Sequence, residues 1–115
     1  MHALIIEDEI FTAILIEDRL RELGFTSLAI ASSEEEAVAA AFQRCPDLIT
    51  ADVQLSPGCG IDAVQRICDK KHIPVLYITG VATTARDRCP EAVVIQKPFG
   101  DTDLRSGVRR ARKAA

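Results

Sequence analysis

The run Leu48-Ile49-Thr50-Ala51-Asp52, followed by a loop containing Ser56, Pro57, Gly58 and Gly60, is the stretch that decides the fold. A short continuous apolar segment bounded by turn residues reads as a strand buried on both faces. A buried strand that ends on an acid places that acid at the rim of a sheet. In an open α/β sheet this rim is where ligands bind.

Outward from this strand the same unit recurs. Ala3 to Ile6 is a second buried run, stopped by Glu7-Asp8-Glu9, after which Ala13, Ile16, Leu20 and Leu23 share a helical face before the stop at Gly24. Ser27 to Ala31 reads as a weaker strand. Ser33 with Glu36 forms a capping box that opens a helix with Ala37, Val38, Ala41 and Phe42 on its expected buried face. Beyond the Asp52 loop, Gly60 opens a helix with Ile61, Val64, Ile67 and Cys68 on one side. Val75 to Thr79 is the most β-like run, halted by Gly80, and Ala82 to Arg88 holds one short helix. Ala92 to Ile95 reads as the fifth strand, and Leu104, Val108 and Ala111 mark a final helix starting near Asp101.

Five strand-helix units with short connections predict a parallel sheet with helices on both faces. Right-handed crossovers leave few topologies, and the commonest is the flavodoxin-like order 2-1-3-4-5, here with a short fourth helix. The 115 residues fit one domain, 1–115, without linker or repeat. A hydrophobic share of 48% beside 27% charged residues is that of an ordinary globular protein. A net charge of -3 gives no reason to expect nucleic-acid binding. No run is long enough to span a bilayer, and no signal-peptide pattern precedes Glu7, so a cytoplasmic protein is expected. Cys45, Cys59, Cys68 and Cys89 are too irregularly spaced for a metal or redox motif and read as reduced, packed thiols.

All C-terminal strand ends of a parallel sheet share one edge. Glu7, Asp8, Asp52, Thr79 and Lys97 are therefore expected at one rim. Carboxylates so close repel, and a hard divalent cation beside Lys97 would offset this. Mg²⁺ or Mn²⁺ suits carboxylate oxygens and leaves room for phosphate oxygens. So neutralised, Asp52 can stay ionised and act as a nucleophile toward a phosphoryl group, with Thr79 as hydroxyl donor and Lys97 as counter-charge. Singly, each residue has a plainer reading: helix-leading acids, a turn aspartate, a solvated lysine, a strand threonine. Jointly, at successive strand ends, they point to phosphoryl transfer.

As a set, Leu4-Ile5-Ile6-Glu7-Asp8-Glu9, Asp47 to Asp52 with Gly60, Pro74 to Gly80 and Lys97-Pro98-Phe99 resemble a response-regulator receiver domain of two-component signalling. The resemblance covers essentially the whole chain. It implies that Asp52 takes phosphate from a sensor histidine kinase or histidine phosphotransferase and that phosphorylation changes binding to an unknown downstream protein. It implies further that Asp8 and Asp52 ligate the metal, with Glu7 acting through water and Gln54 offering its backbone carbonyl. Thr79 would move toward the phosphoryl oxygens, Lys97 would pair with them, and the Lys97-Pro98 bond would be cis. Such a domain is a phosphoacceptor rather than an enzyme in its own right.

The chain departs from the family pattern in Gly80, where an alanine is usual, and in Val94, where an aromatic is usual. Tyr77-Ile78-Thr79-Gly80 is similar to a subset that includes single-domain regulators and general-stress receivers. The chain is expected to be either a stand-alone receiver or an excised module, and a start at Met1 with almost no lead-in favours the first. Two rivals are weaker. An aspartyl-nucleophile phosphatase would want an acid where Gln54 stands, and a protein-binding pseudo-receiver would lack Asp52 or Lys97. The basic residues Arg105, Arg109, Arg110, Arg112 and Lys113 read as a solvated face, with no nucleic-acid or membrane partner expected.

Overall fold

The computed structural model describes residues 1–114. Five strands alternate with five helices: β1 (His2–Ile6), α1 (Ile10–Glu22), β2 (Ser27–Ala31), α2 (Glu34–Gln43), β3 (Leu48–Ala51), α3 (Gly60–Ile67), β4 (Val75–Thr79), α4 (Ala82–Arg88), β5 (Val93–Gln96) and α5 (Asp101–Ala114). The strands form one parallel sheet in the order β2-β1-β3-β4-β5. This is the flavodoxin-like arrangement expected from the sequence, with α4 only 7 residues long.

Alternation along each strand divides the core into two layers. Leu4, Ile6, Ile49, Ala51, Tyr77 and Val94 meet α2, α3 and α4 on one face. Ala3, Ile5, Leu48, Leu76, Ile78 and Ile95 meet Ala13, Ile16 and Leu20 of α1 and Leu104, Val108 and Ala111 of α5 on the other. Each fully covered Leu, Ile or Val contributes about 1.5–3 kcal/mol of burial. Gly107 lets α5 lie close to β4: a Cβ there would sit 2.9 Å from a Leu76 methyl.

Three expectations need correction. Phe42 is 93% exposed, not buried, while Ala37 and Ala41 carry the contact of α2. Phe42 lies five positions after Ala37, about 140° around the helix, and so falls off the buried stripe. The capping box is half formed: Ser33 Oγ accepts the Glu36 N–H at 3.2 Å, but the Glu36 carboxylate turns to the N–H and hydroxyl of Ser32. The fifth strand begins at Val93 rather than Ala92, because the Ala92 N–H is taken by the Cys89 carbonyl in a turn.

Candidate functional site

Register builds the rim. Ile6 pairs with Ala51, so Glu7 and Asp52 step off neighbouring strands side by side. The ladder runs one residue past the strands, with the Asp52 N–H donating to the Ile6 carbonyl and the Lys97 N–H to the Thr79 carbonyl, both at 2.9 Å. Asp52 and Glu7 are therefore held by backbone geometry, at 8% and 2% exposure respectively.

The acidic run after β1 splits its duties. Glu9 caps α1, its carboxylate accepting the N–H groups of Phe11 and Thr12. Glu7 instead turns inward, and Asp8 stays exposed beside it. Glu7, Asp8 and Asp52 offer carboxylate oxygens that all lie within 4.8 Å of one another. Like charges at such a separation repel by roughly 3 kcal/mol per pair at an intermediate effective dielectric. Lys97 answers this directly: Nζ donates to Glu7 Oε1 at 2.6 Å and to Asp52 Oδ2 at 2.9 Å.

One ammonium against three carboxylates leaves the rim anionic. Burial pushes the Glu7 carboxyl above its ordinary range, with the Lys97 hydrogen bond and the Glu9 N–H pulling the other way. Burial works against the charge on Lys97, but its bonds to Glu7 and Asp52 outweigh this and raise its pKa. A compact set of hard oxygen donors with excess negative charge fits a divalent cation of the Mg²⁺ type. Asp52 Oδ1 also accepts the Gln54 N–H at 3.3 Å, which draws the start of the following loop onto the site.

Thr79 is fully buried at the end of β4, and its Oγ1 accepts the Val81 N–H at 3.2 Å. That bond uses a lone pair and leaves the hydroxyl proton free to donate. Gly60 closes the loop beneath Asp52, its N–H bonded to the Val53 carbonyl. A Cβ at Gly60 would fall 1.6 Å from the Asp52 carbonyl oxygen, so no other residue fits. The Lys97-Pro98 peptide is cis, as expected, and Ser56-Pro57 is cis as well.

The structure thus brings Glu7, Asp8, Asp52 and Lys97 together, with Thr79 on the next strand end and Gln54 in the adjoining loop. Sequence reasoning missed the residues that hold this rim from outside. Glu34 accepts the Cys59 N–H and an Arg66 N–H, and Arg88 donates to Asp62 and to Cys59 Sγ. Cys59 in turn bridges to Gln54. Gln96, the residue before Lys97, was also missed, although a polar residue ending a buried strand is a signal of the kind that marked Asp52.

Fold and rim define the class: a flavodoxin-like α/β domain whose C-terminal sheet edge is acidic and clamped by one lysine. The chain belongs to the response regulator receiver domain family, whose model matches residues 3–109, and is a receiver domain of two-component signalling. It is 34% identical over 106 residues to the transcriptional regulatory protein PdtaR of Mycobacterium tuberculosis, covering 88% of this chain and 51% of that one. The chain thus spans about half the length of that relative. The anti-anti-sigma factor PhyR of Bartonella quintana superposes with a TM-score of 0.78 at 34% identity, over 98% of this chain and 47% of that one. The receiver domain of the sensor histidine kinase PA1611 of Pseudomonas aeruginosa shares the fold, with a TM-score of 0.82 at 24% identity over 97% of each chain. That structure is described as having a magnesium ion coordinated in its active site cleft.

Proposed function

We propose that this domain is a phosphoacceptor switch in which Asp52 takes a phosphoryl group from a sensor histidine kinase or histidine phosphotransferase. The observation that carries the reading is the Asp52 carboxylate, mostly buried, clamped by Lys97 and within 4.8 Å of Glu7 and Asp8 carboxylate oxygens. An Asp52 oxygen attacks the phosphorus of a phosphohistidine. An O–P bond forms, the P–N bond breaks, and the electron pair stays on the imidazole nitrogen. Lys97 is placed to follow the phosphoryl oxygens, and the free Thr79 proton is placed to donate to one of them.

Asp8, Asp52 and the Gln54 carbonyl, with Glu7 through water, would hold Mg²⁺ or Mn²⁺. When bound, the ion supplies neutralisation of charge on the phosphoryl oxygens. The magnesium in the PA1611 receiver supports this choice. Beside the rim, α1 presents Ile10 and Phe11, 55% and 79% exposed, with Ile14 and Leu15 one turn on. Apolar side chains so grouped fit the docking of a phosphodonor protein. Phosphorylation then changes affinity for a downstream protein, and the likeness to the anti-anti-sigma factor PhyR supports a partner in sigma-factor control. The domain reads as a cytoplasmic bacterial protein that assists its own phosphorylation rather than turning over a substrate.

Acetyl phosphate with Mg²⁺ is expected to add one phosphoryl group to the wild type and none to Asp52→Asn, read by intact mass. Equal labelling of both proteins would refute the assignment.

A further inference from the structure

Gln96 ends β5 directly opposite Thr79 on β4. Its side chain leaves the same face of β5 as Val94, two residues earlier, toward α4. There the carboxamide makes three bonds. Oε1 accepts the Ala82 N–H at 3.3 Å, and Nε2 donates to the Gly80 carbonyl at 2.9 Å and the Lys97 carbonyl at 3.1 Å. These partners fix the orientation of the amide, since the opposite one would set its oxygen against two carbonyl oxygens.

One side chain therefore grips both loops of the rim. The Gly80 and Ala82 bonds bracket Val81, whose N–H is the donor to Thr79 Oγ1. The Lys97 bond holds the residue whose Nζ reaches Glu7 and Asp52. The Gly80 carbonyl and Ala82 N–H belong to the entry of α4, a helix whose N-cap residue Val81 offers no side-chain hydrogen bond. In its place, Gln96 supplies an acceptor from the neighbouring strand.

We propose that Gln96 is a positioning residue for phosphoryl acceptance: it sets the Thr79 hydroxyl against the Lys97 ammonium and transmits their displacement to α4. The proposal rests on the reading of Asp52 as phosphoacceptor. A donor-acceptor clasp of this kind is directional. If Thr79 moves toward a phosphoryl group, Gly80 and Ala82 move with it, and the Gln96 bonds must stretch or follow. A misplacement of about 1 Å in a reacting group is enough to slow a reaction a hundredfold, so loss of the clasp has leverage on rate.

The test compares wild type with Gln96→Leu, which keeps bulk and removes all three bonds, and with Gln96→Glu. The glutamate keeps the acceptor for Ala82 and sets a carboxylate against the Gly80 and Lys97 carbonyls. Both variants are expected to take phosphate from acetyl phosphate about tenfold more slowly. Their Mg²⁺ affinity should remain within threefold of wild type. Beryllofluoride with Mg²⁺ should shift the backbone amides of Gly80 to Arg88 less in the variants than in wild type. The proposal is overturned if both variants react within threefold of wild type, or if Mg²⁺ affinity falls in step with the rate. It is also overturned if the Gly80–Arg88 response to beryllofluoride is unchanged. A wild type that accepts no phosphoryl group overturns the Asp52 reading instead, so the two failures are distinct. Gln96→Asn, which keeps the amide one methylene short, should fall between wild type and leucine.

Discussion

Thr50 sits on β3 two residues before Asp52, fully buried, and its hydroxyl has no hydrogen-bond partner among the described residues. An orphaned buried hydroxyl costs about 1–3 kcal/mol relative to an apolar group of the same shape. Thr50→Val is expected to raise stability by about 1 kcal/mol, seen as a higher urea midpoint with unchanged slope. An unchanged or lower midpoint would show that the hydroxyl is satisfied after all. Placement at the rim was legible in the sequence because charged residues that end buried apolar runs stand out: Asp52, Lys97, and the acids after Ile6. The division of labour inside Glu7-Asp8-Glu9 was not legible. Which acid caps α1 and which turns inward depends on the exact exit angle of the chain from β1: Glu9 leads the helix, and Glu7 turns toward Lys97.

At the scale of elements, α2 shows how a periodic stripe can mislead. Ala37, Val38, Ala41 and Phe42 look like one face, yet only Ala37 and Ala41 of these are buried in the core, with Ala40 packed partly against it. Phe42 lies about 100° beyond Ala41 around the helix, past the covered arc, and is left in solvent. Phe42→Gln is therefore expected to change stability by less than about 0.5 kcal/mol. Ala37→Asp on the covered side should cost about 3 kcal/mol, both by chemical denaturation. Element existence and order were legible throughout, and β4, α4 and the start of α5 were placed to the residue. The clasps between elements were not. Arg88 on α4 reaching Asp62 and Cys59 near the start of α3, or Arg66 on α3 reaching Glu34 and Glu35 on α2, join residues 26 to 32 positions apart. No local pattern records such a pairing.

For the molecule as a whole, pH acts through groups that folding has moved out of water. His2 is buried in β1, with Nδ1 2.8 Å from Ser27 Oγ, and burial together with the nearby Arg44 lowers its pKa from 6.5. A lowered folded value means that the unfolded chain binds the proton more readily. Stability from His2 is then complete above pH 6.5 and is lost as pH falls below it through the folded value. Glu7 has the opposite sign, since its raised pKa favours the folded state below 4.5 and that advantage fades as pH rises. Denaturation curves of wild type and His2→Gln between pH 7.5 and 5.5 should converge toward the acid side as the wild type loses stability. Parallel curves would remove His2 from the account.

The two-layered core also has a consequence for how the domain comes into being. The helices α2, α3 and α4 that cover one face of the sheet are all made before β5, but the other face is shared by α1 and α5, the first helix and the last. While the chain is being synthesised, all five strands can leave the ribosome with Leu76, Ile78 and Ile95 still bare. Until Leu104, Val108 and Ala111 emerge, the nascent domain shows chaperones and neighbouring chains a greasy half-sheet. The segment after Gly100 contributes none of the rim residues, yet a message truncated there would yield no receiver at all.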